Sequence, residues 1–498
     1  MIRHASTFLA LASLPLCAFA STVEYSIPCN PPQNAAPLDS APIGLSFEFY
    51  MWPSYMTNIT PPMQCAERLS DLYGGVAPIR IGGTTQDRAT YDPDFDGYVS
   101  YVNEDPLVAP MELTYGPKFW DLIPEYGGDV MLGFNRGDNN RSNTFAAVVE
   151  AKKRALSNLA AIELGNEPDV YNMWNKSIVV PPWNASQEGA SAADWAQEFL
   201  NIWEQPLPIL AAGSYAATIP SMPDWPNIPY LIETAFNDSV KAGVKMYSGH
   251  LYAAPPNETD LKGEMNHVKT VADLSVFNKS IALSHGEGRP FILGETNFHP
   301  YDVHMDETFG AALATLDRSM RAVTIGIQRL FFHQGTINQG KSCMYQSLFN
   351  WWSDNQINAP FYGGYMAVQA LAGGTSIVEL DQGDSSFAVY VVYSGRRASK
   401  VLLINTEYYT EGVRPRTDFI LSGLPTSRVT GVRLTAESSE VVTTKEQTKG
   451  SPRPTLGGQW FSNTDCSSKG ARKLETSRVT GGKATFSLQA SEALLVYL

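Results

Sequence analysis

From residue 43 to residue 373, short apolar runs alternate with longer stretches in which apolar side chains recur at every third and fourth position. The short runs have the length of buried strands, and the longer periodicity is that of helices lying on a core. Eight runs stand out, at 43–47, 78–81, 130–134, 160–164, 209–212, 244–247, 291–293 and 327–332. Helical patterns fill the intervals, for example at 144–159, 192–203 and 307–325. Such alternation specifies a parallel sheet built from βα units. Eight units are the number that closes a (β/α)8 barrel. An open doubly wound sheet reads similarly, but it does not need eight units, and no Gly-x-Gly-x-x-Gly turn opens one here. The pattern therefore predicts an α/β fold with a (β/α)8 TIM barrel over residues 41–373.

Beyond Gly373-Gly374 the period changes to two. Alternating runs at 387–393, 400–404, 417–421, 429–434, 483–488 and 493–498, separated by turn residues, predict a C-terminal antiparallel β-sandwich over 374–498. The polar stretch 445–470 is expected to be an exposed loop, with Trp460-Phe461 able to reach a neighbour. Residues 21–40, rich in Pro and Asn, have no role in a barrel and form a separate N-terminal segment that can pack on the β-domain. Residues 1–20 combine Arg3, an apolar run and the small-x-small ending Ala18-Phe19-Ala20, the layout of a cleaved signal peptide. That run is shorter than the roughly 20 apolar residues of a membrane span, so no membrane anchor is predicted.

Secretion frames the cysteines and asparagines. Cys17 leaves with the signal peptide, and Cys29, Cys65, Cys343 and Cys466 allow up to two disulfides in any of three pairings. Their spacing fits no zinc pattern. Asn58, Asn140, Asn175, Asn184, Asn237, Asn257 and Asn278 each begin an Asn-x-Ser/Thr acceptor, which predicts a glycoprotein. A formal net charge of −14 excludes nucleic acid as a partner, since phosphates demand basic patches. No oligomeric state is specified by the pattern.

Candidate chemistry lies at the ends of two runs. Ile162-Glu163-Leu164-Gly165-Asn166-Glu167-Pro168 closes the fourth strand, and Phe291-Ile292-Leu293-Gly294-Glu295-Thr296 closes the seventh. Barrel enzymes carry their reactive groups at the carboxyl ends of the strands, so Glu167 and Glu295 face one another across one rim. Two opposed carboxylates are what glycosidic cleavage requires. Arg80, between Ile79 and Ile81 on the second strand, alternates into the barrel, where a cation keeps a nearby carboxylate ionised. Glu295 is then the nucleophile. Glu167, with no evident cation beside it, is the better protonated acid.

Leu164-Gly165-Asn166-Glu167-Pro168 with Leu293-Gly294-Glu295-Thr296 resembles the acid/base and nucleophile signatures of the clan of retaining barrel glycosidases. With Ile79-Arg80-Ile81-Gly82-Gly83-Thr84 added, the chain resembles, over nearly its whole mature length, heparanase and the fungal and bacterial β-glucuronidases of glycoside hydrolase family 79. The resemblance implies that Asn166 bonds the sugar 2-hydroxyl and that Tyr252 contacts the nucleophile. It implies further that Glu48 and Thr84 hold the far hydroxyls, and that Tyr301 and Tyr345 hold a glucuronate carboxylate, with Tyr362 competing for the place of Tyr345. His250 and His333 are expected to line the pocket or to serve as structural hydrogen-bonders.

The expected reaction is a double displacement needing no metal or organic cofactor, on a carbohydrate substrate. First choice is release of terminal β-linked glucuronic acid, with or without a 4-O-methyl group. Heparanase-like internal cleavage is the second, disfavoured because a sulfated chain wants basic walls. A neutral-sugar glycosidase is the third reading, and a catalytically inactive glycan-binding protein the fourth.

Overall fold

Eight parallel strands close on themselves through hydrogen bonds that join each to the next and the eighth to the first. They are Ile43–Glu48, Ile79–Gly82, Val130–Phe134, Leu159–Leu164, Leu210–Tyr215, Val244–Leu251, Phe291–Thr296 and Ile327–Gln334. These are the eight predicted strands: the third has the predicted bounds, the second and fifth begin one residue later than predicted, and all but the third and fourth run one to four residues further at their carboxyl ends. The computed structural model describes residues 21–58, 60–102, 109–252, 260–298, 303–335, 351–353, 356–448 and 450–498.

The period of two along each strand decides what fills the barrel. On the first strand Ile43, Leu45 and Phe47 pack outward beneath the helices, which leaves Gly44, Ser46 and Glu48 for the interior. Met131, Ala161, Ala211, Ile292 and Phe331 form an apolar plug within the barrel. Two residues further along the fourth and eighth strands stand Glu163 and His333, both buried. The next layer of the barrel is therefore polar, and it faces the rim where the loops meet.

The smaller domain is a sandwich of two sheets. One runs in the order Ala36–Pro37, Ser376–Glu379, Phe387–Ser394, Arg397–Asn405, Glu492–Tyr497, Arg428–Thr435 and Thr455–Leu456, with Glu475–Arg478 added beside Arg428–Thr435. The other joins Ser21–Ser26, Arg416–Ser422 and Ala484–Gln489. Val389, Val391, Leu403, Phe419 and Leu488 are among the side chains packed between them. Ser21–Ser26 pairs in parallel with Arg416–Ser422, Ser21 opposite Thr417, so the N-terminal segment belongs to this domain's hydrogen bonding.

The stretch 445–470 is not the exposed loop expected from its composition. It contains Thr455–Leu456, Trp460–Phe461 and Ser468–Lys469, and buried Phe461 packs on Phe361, Tyr362 and Tyr365 of helix Ala359–Leu371. Cys466 in the same stretch is bonded to Cys65 of helix Thr60–Tyr73. One aromatic ring and one half-cystine anchor a polar segment that averages as loop. Cys29 is exposed and in no disulfide among the described residues, and Cys343 lies outside them.

A second joint between the domains is ionic. His267 Nδ1 lies 2.9 Å from Asp317 Oδ2 on helix Phe309–Thr324, while Nε2 lies 3.0 Å from Asp381 Oδ1 just past Ser376–Glu379. Tyr390 donates to Asp317 at 2.7 Å. Burial disfavours charge on His267, but the two aspartates outweigh it and push its pKa up to about 11.

Candidate active site

Arg80 organises the polar layer. Nε donates to Glu163 Oε2 at 3.2 Å and Nη2 to Glu163 Oε1 at 2.6 Å; Nη2 also reaches Asn166 Oδ1 at 2.8 Å, while Nη1 reaches Glu295 Oε2 at 2.6 Å and Ser46 Oγ at 3.1 Å. A guanidinium with no exposed surface needs this density of acceptors, because leaving its donors unmet in a dry interior costs more than the bonds return in water. Glu163 stands in the quoted fourth-strand motif but was given no role there. The alternation that points Arg80 inward points Glu163 inward too, from a strand two places away, and that signal would have found it.

Glu295 holds its second oxygen, Oε1, against the Tyr252 hydroxyl, which donates to it. His333 Nδ1 lies 3.6 Å from Glu295 Oε2 and 2.9 Å from Ser46 Oγ, and Nε2 lies 3.2 Å from Glu48 Oε2. Burial works against charge on Glu295, but His333, Arg80 and the Tyr252 hydrogen bond overcome it and hold its pKa well below the usual carboxylate range. His333 is raised in turn: burial opposes its charge, and Glu295 and Glu48 more than compensate.

Glu167 is built to the opposite effect. The chain leaves the fourth strand through Gly165 at φ +83°, where a Cβ would meet the Tyr171 hydroxyl at 2.2 Å, and Glu167 itself sits in the left-handed region at φ +52°. A side chain in that conformation costs of order 1–3 kcal/mol and persists where surroundings impose it. Here the Glu167 N–H donates to Ser214 O at 3.0 Å, and Oε1 lies 2.9 Å from His250 Nδ1. Burial and then repulsion from Glu295 push its pKa up to about 8. Burial likewise drives His250 down to about 4, so the ring that holds Glu167 is neutral. An oxygen of Glu167, a nitrogen of His250 and an oxygen of Glu295 all lie within 4.8 Å of one another.

The remaining predicted residues fall around this pair. Asn166 commits Oδ1 to Arg80 and its N–H to Asp87 Oδ2 at 2.7 Å, so its amide is oriented before anything binds. Glu48 is buried, and its Oε1 accepts from the N–H and hydroxyl of Thr85 at 2.8 and 2.5 Å. Thr84 is half-buried at the head of the turn Thr84–Arg88, behind Gly83 at φ +91°, where a Cβ would lie 2.6 Å from Glu48 Oε2. Tyr301 and Tyr345 lie outside the described residues. Tyr362 is removed as a substrate contact: it is buried against the β-domain, and its oxygen accepts the Phe461 N–H at 3.0 Å. Asp169, two residues past Glu167, also escaped the sequence reading. It is buried, takes hydrogen bonds from Ala216 N, Ala217 N and Trp225 Nε1, and is pushed up to about 8 by burial and by Glu167.

Of the acceptor asparagines, Asn58, Asn140, Asn175, Asn237 and Asn278 are exposed, and Asn184 is half-buried at the N-cap of Ala185–Trp203; Asn257 lies outside the described residues.

Residues 389–495 match the model of the glycosyl hydrolase family 79 C-terminal beta domain. The β-glucuronidase of Aspergillus niger is 30% identical over 415 residues, which cover 77% of this chain and 75% of that protein. The β-glucuronidase of Neurospora crassa is 26% identical over 453 residues, covering 82% and 79%. Among solved structures, a 4-O-α-L-rhamnosyl-β-D-glucuronidase from Fusarium oxysporum, crystallised as a Rha-GlcA complex, matches with a TM-score of 0.88 at 37% identity, over 96% of this chain and 100% of that one. A family 51 α-L-arabinofuranosidase from Bifidobacterium longum matches at 0.62 with 12% identity, over 95% and 98%, a likeness of fold alone.

Proposed function

The chain belongs to glycoside hydrolase family 79, and we propose that it is a secreted β-glucuronidase releasing terminal β-linked glucuronic acid with net retention at the anomeric carbon. The observation that carries the reading is the Glu167–Glu295 pair: two carboxyl groups with oxygens within 4.8 Å, pushed to opposite protonation states by their surroundings. Retaining enzymes hold the two groups about 5–5.5 Å apart, whereas inverting ones leave roughly 6.5–9.5 Å for a water.

Glu295, ionised against Arg80, attacks the anomeric carbon. The bond to the leaving oxygen breaks as Glu167 delivers its proton there, and a glycosyl ester forms on Glu295. That ester carries no charge, so the repulsion that raised Glu167 vanishes and its pKa falls. Glu167 is then a base for the water that hydrolyses the ester, and the Glu295 carboxylate is regenerated. Asn166 bonds the sugar 2-hydroxyl, and Tyr252 keeps the nucleophile's second oxygen in place. Glu48 and Thr84 face the far hydroxyls.

Support for a secretory route comes from the apolar leader in residues 1–20, the Cys65–Cys466 disulfide and the exposed acceptor asparagines. Among the described residues no helix is long and apolar enough to cross a membrane.

The test is hydrolysis of an aryl β-glucuronide beside the matching xyloside and arabinoside, with the product anomer followed by NMR. The reading requires turnover of the glucuronide, a β product formed first, and loss of activity in Glu295→Gln. An α product formed first, or full activity in Glu295→Gln, would overturn it.

A further inference from the structure

The connection from the second to the third barrel strand carries a small sheet of Ala89–Tyr91, Val99–Ser100 and Leu113–Tyr115, for which the sequence pattern gave no expectation. Beside it lies a cavity of about 1050 Å³ whose lining includes Asp87, Arg88, Tyr101, Met111, Asp138 and Lys176. That is at the upper end of the size of small-molecule sites, and the residues proposed to meet the glucuronyl ring do not line it.

Two contacts tie the cavity to the candidate active site. Asp87 accepts hydrogen bonds from Asn166 N at 2.7 Å, Tyr171 Oη at 2.6 Å, Arg136 N at 2.8 Å and Gly137 N at 2.9 Å, so this part of the wall is rigid and one residue from Glu167. On the other flank Tyr101 packs edge-on to Tyr50, two residues past Glu48, with ring centroids 5.2 Å apart. The cavity is therefore built by the connections that follow the second, third and fourth strands, on the flank between Asn166 and Glu48. A glucuronyl ring with its 2-hydroxyl at Asn166 and its far hydroxyls at Glu48 turns its C3–C4 edge toward that side. The cavity is then on the non-reducing side of the ring, away from the leaving group.

Its lining selects against another charge. Lys176 Nζ donates to the Asp87 carbonyl and lies 3.9 Å from Asp138, and Arg88 Nη1 donates to Pro110 O at 2.9 Å. Both cations are thus engaged, while Glu112 adds an acid that has no ion pair among the described residues. The same lining exposes Tyr101 by 42%, Met111 by 69% and Val102 by 89%, an apolar rim in a place that water reaches. Such a rim matches the apolar face of a sugar and the methyl group of a deoxy sugar.

We propose that this cavity binds a neutral sugar, of 6-deoxyhexose type, attached to the 4-oxygen of the glucuronyl residue, so that the enzyme releases an intact disaccharide. The inference rests on the β-glucuronidase reading. The Fusarium oxysporum relative supports it, being a 4-O-α-L-rhamnosyl-β-D-glucuronidase crystallised as a Rha-GlcA complex. The chemistry is the double displacement already given, with the 4-O link left unbroken.

Two substrates with one aryl leaving group test it: the plain β-glucuronide and its 4-O-α-L-rhamnosyl derivative. The ratio of their kcat/KM values is expected to favour the derivative at least tenfold, with the disaccharide as product. Met111→Trp, which fills the cavity, and Tyr101→Ala, which strips its rim, should each lower that ratio tenfold or more in variants whose melting temperature shows them folded. Turnover of the plain glucuronide with no preference for the derivative, or a ratio unmoved by both variants, would overturn this inference and leave the glucuronidase reading standing. Hydrolysis of neither substrate would overturn both.

Discussion

Arg80 Nη1 donates to Glu295 Oε2 at 2.6 Å while the other edge of the same guanidinium is filled by Glu163. One cation thus does two things: it keeps the attacking carboxylate ionised, and it is itself fixed by a second carboxylate deeper in the barrel. Lysine has the charge without the planar fork and cannot reach Ser46, Glu163, Asn166 and Glu295 together. Arg80→Lys should lower kcat by about 10²–10³-fold, the usual cost of losing one preorganised electrostatic contact. It should also raise the Glu295 pKa, moving the acid limb of the kcat/KM profile upward. A profile unchanged in shape would show that Arg80 is only a structural tie.

The basic limb belongs to Glu167. Its pKa of about 8 means that the proton needed for the leaving group is lost as pH rises through that value, and kcat/KM should fall there. Because repulsion from Glu295 is one cause of the elevation, Glu295→Gln should bring the Glu167 pKa down, measurable by carboxyl NMR titration. Glu167→Gln should cost about 10²–10⁴-fold on alkyl glucuronides and less on aryl ones, whose leaving groups need less protonation.

The His267 joint makes stability depend on pH in a definite direction. Its folded pKa of about 11 lies above the ordinary value of 6.5, so its contribution is complete below pH 6.5 and is lost as pH rises toward 11. His267→Gln leaves Asp317 and Asp381 buried without their cation, a loss of about 3–5 kcal/mol. Thermal unfolding should show a large gap between native protein and variant in mild acid and a narrower one in strong base. A gap that widened with pH would contradict the assignment.

The Cys65–Cys466 bond links residues 401 apart in sequence and joins a barrel helix to the β-domain. Cys65→Ser with Cys466→Ser should cost about 2–5 kcal/mol of stability. Neither residue contacts the catalytic pair, so kcat/KM for an aryl glucuronide should change less than twofold, to be read from melts and rates with and without reductant.

What the sequence made legible follows from distance. The barrel strands were readable because alternation and helical periodicity are local, and Glu167, Glu295 and Arg80 were readable because each terminates or interrupts such a run. Glu163 required asking which residue two strands away shares a layer with Arg80. That Thr85 binds Glu48 depends on how the chain turns after Gly83, which no period encodes. The pairing of Cys65 with Cys466 could not be chosen among three by spacing. Phe461 was visible as a ring able to reach a neighbour, but the polar average of 445–470 concealed that the whole stretch is anchored through it and Cys466.

Strand Ser21–Ser26 has its first partner 396 residues downstream, at Thr417. Ribosomes extend a chain at ~5–20 residues per second, so this strand waits roughly 20–80 s between its own synthesis and that of its neighbour. The entire barrel emerges in that interval. A strand kept waiting exposes its backbone to any passing edge, and the composition here answers that hazard: Thr22, Glu24 and Ser26 alternate with Val23 and Tyr25, and even in the finished sheet the polar set stays exposed. The small domain thus joins a segment made early to strands made last.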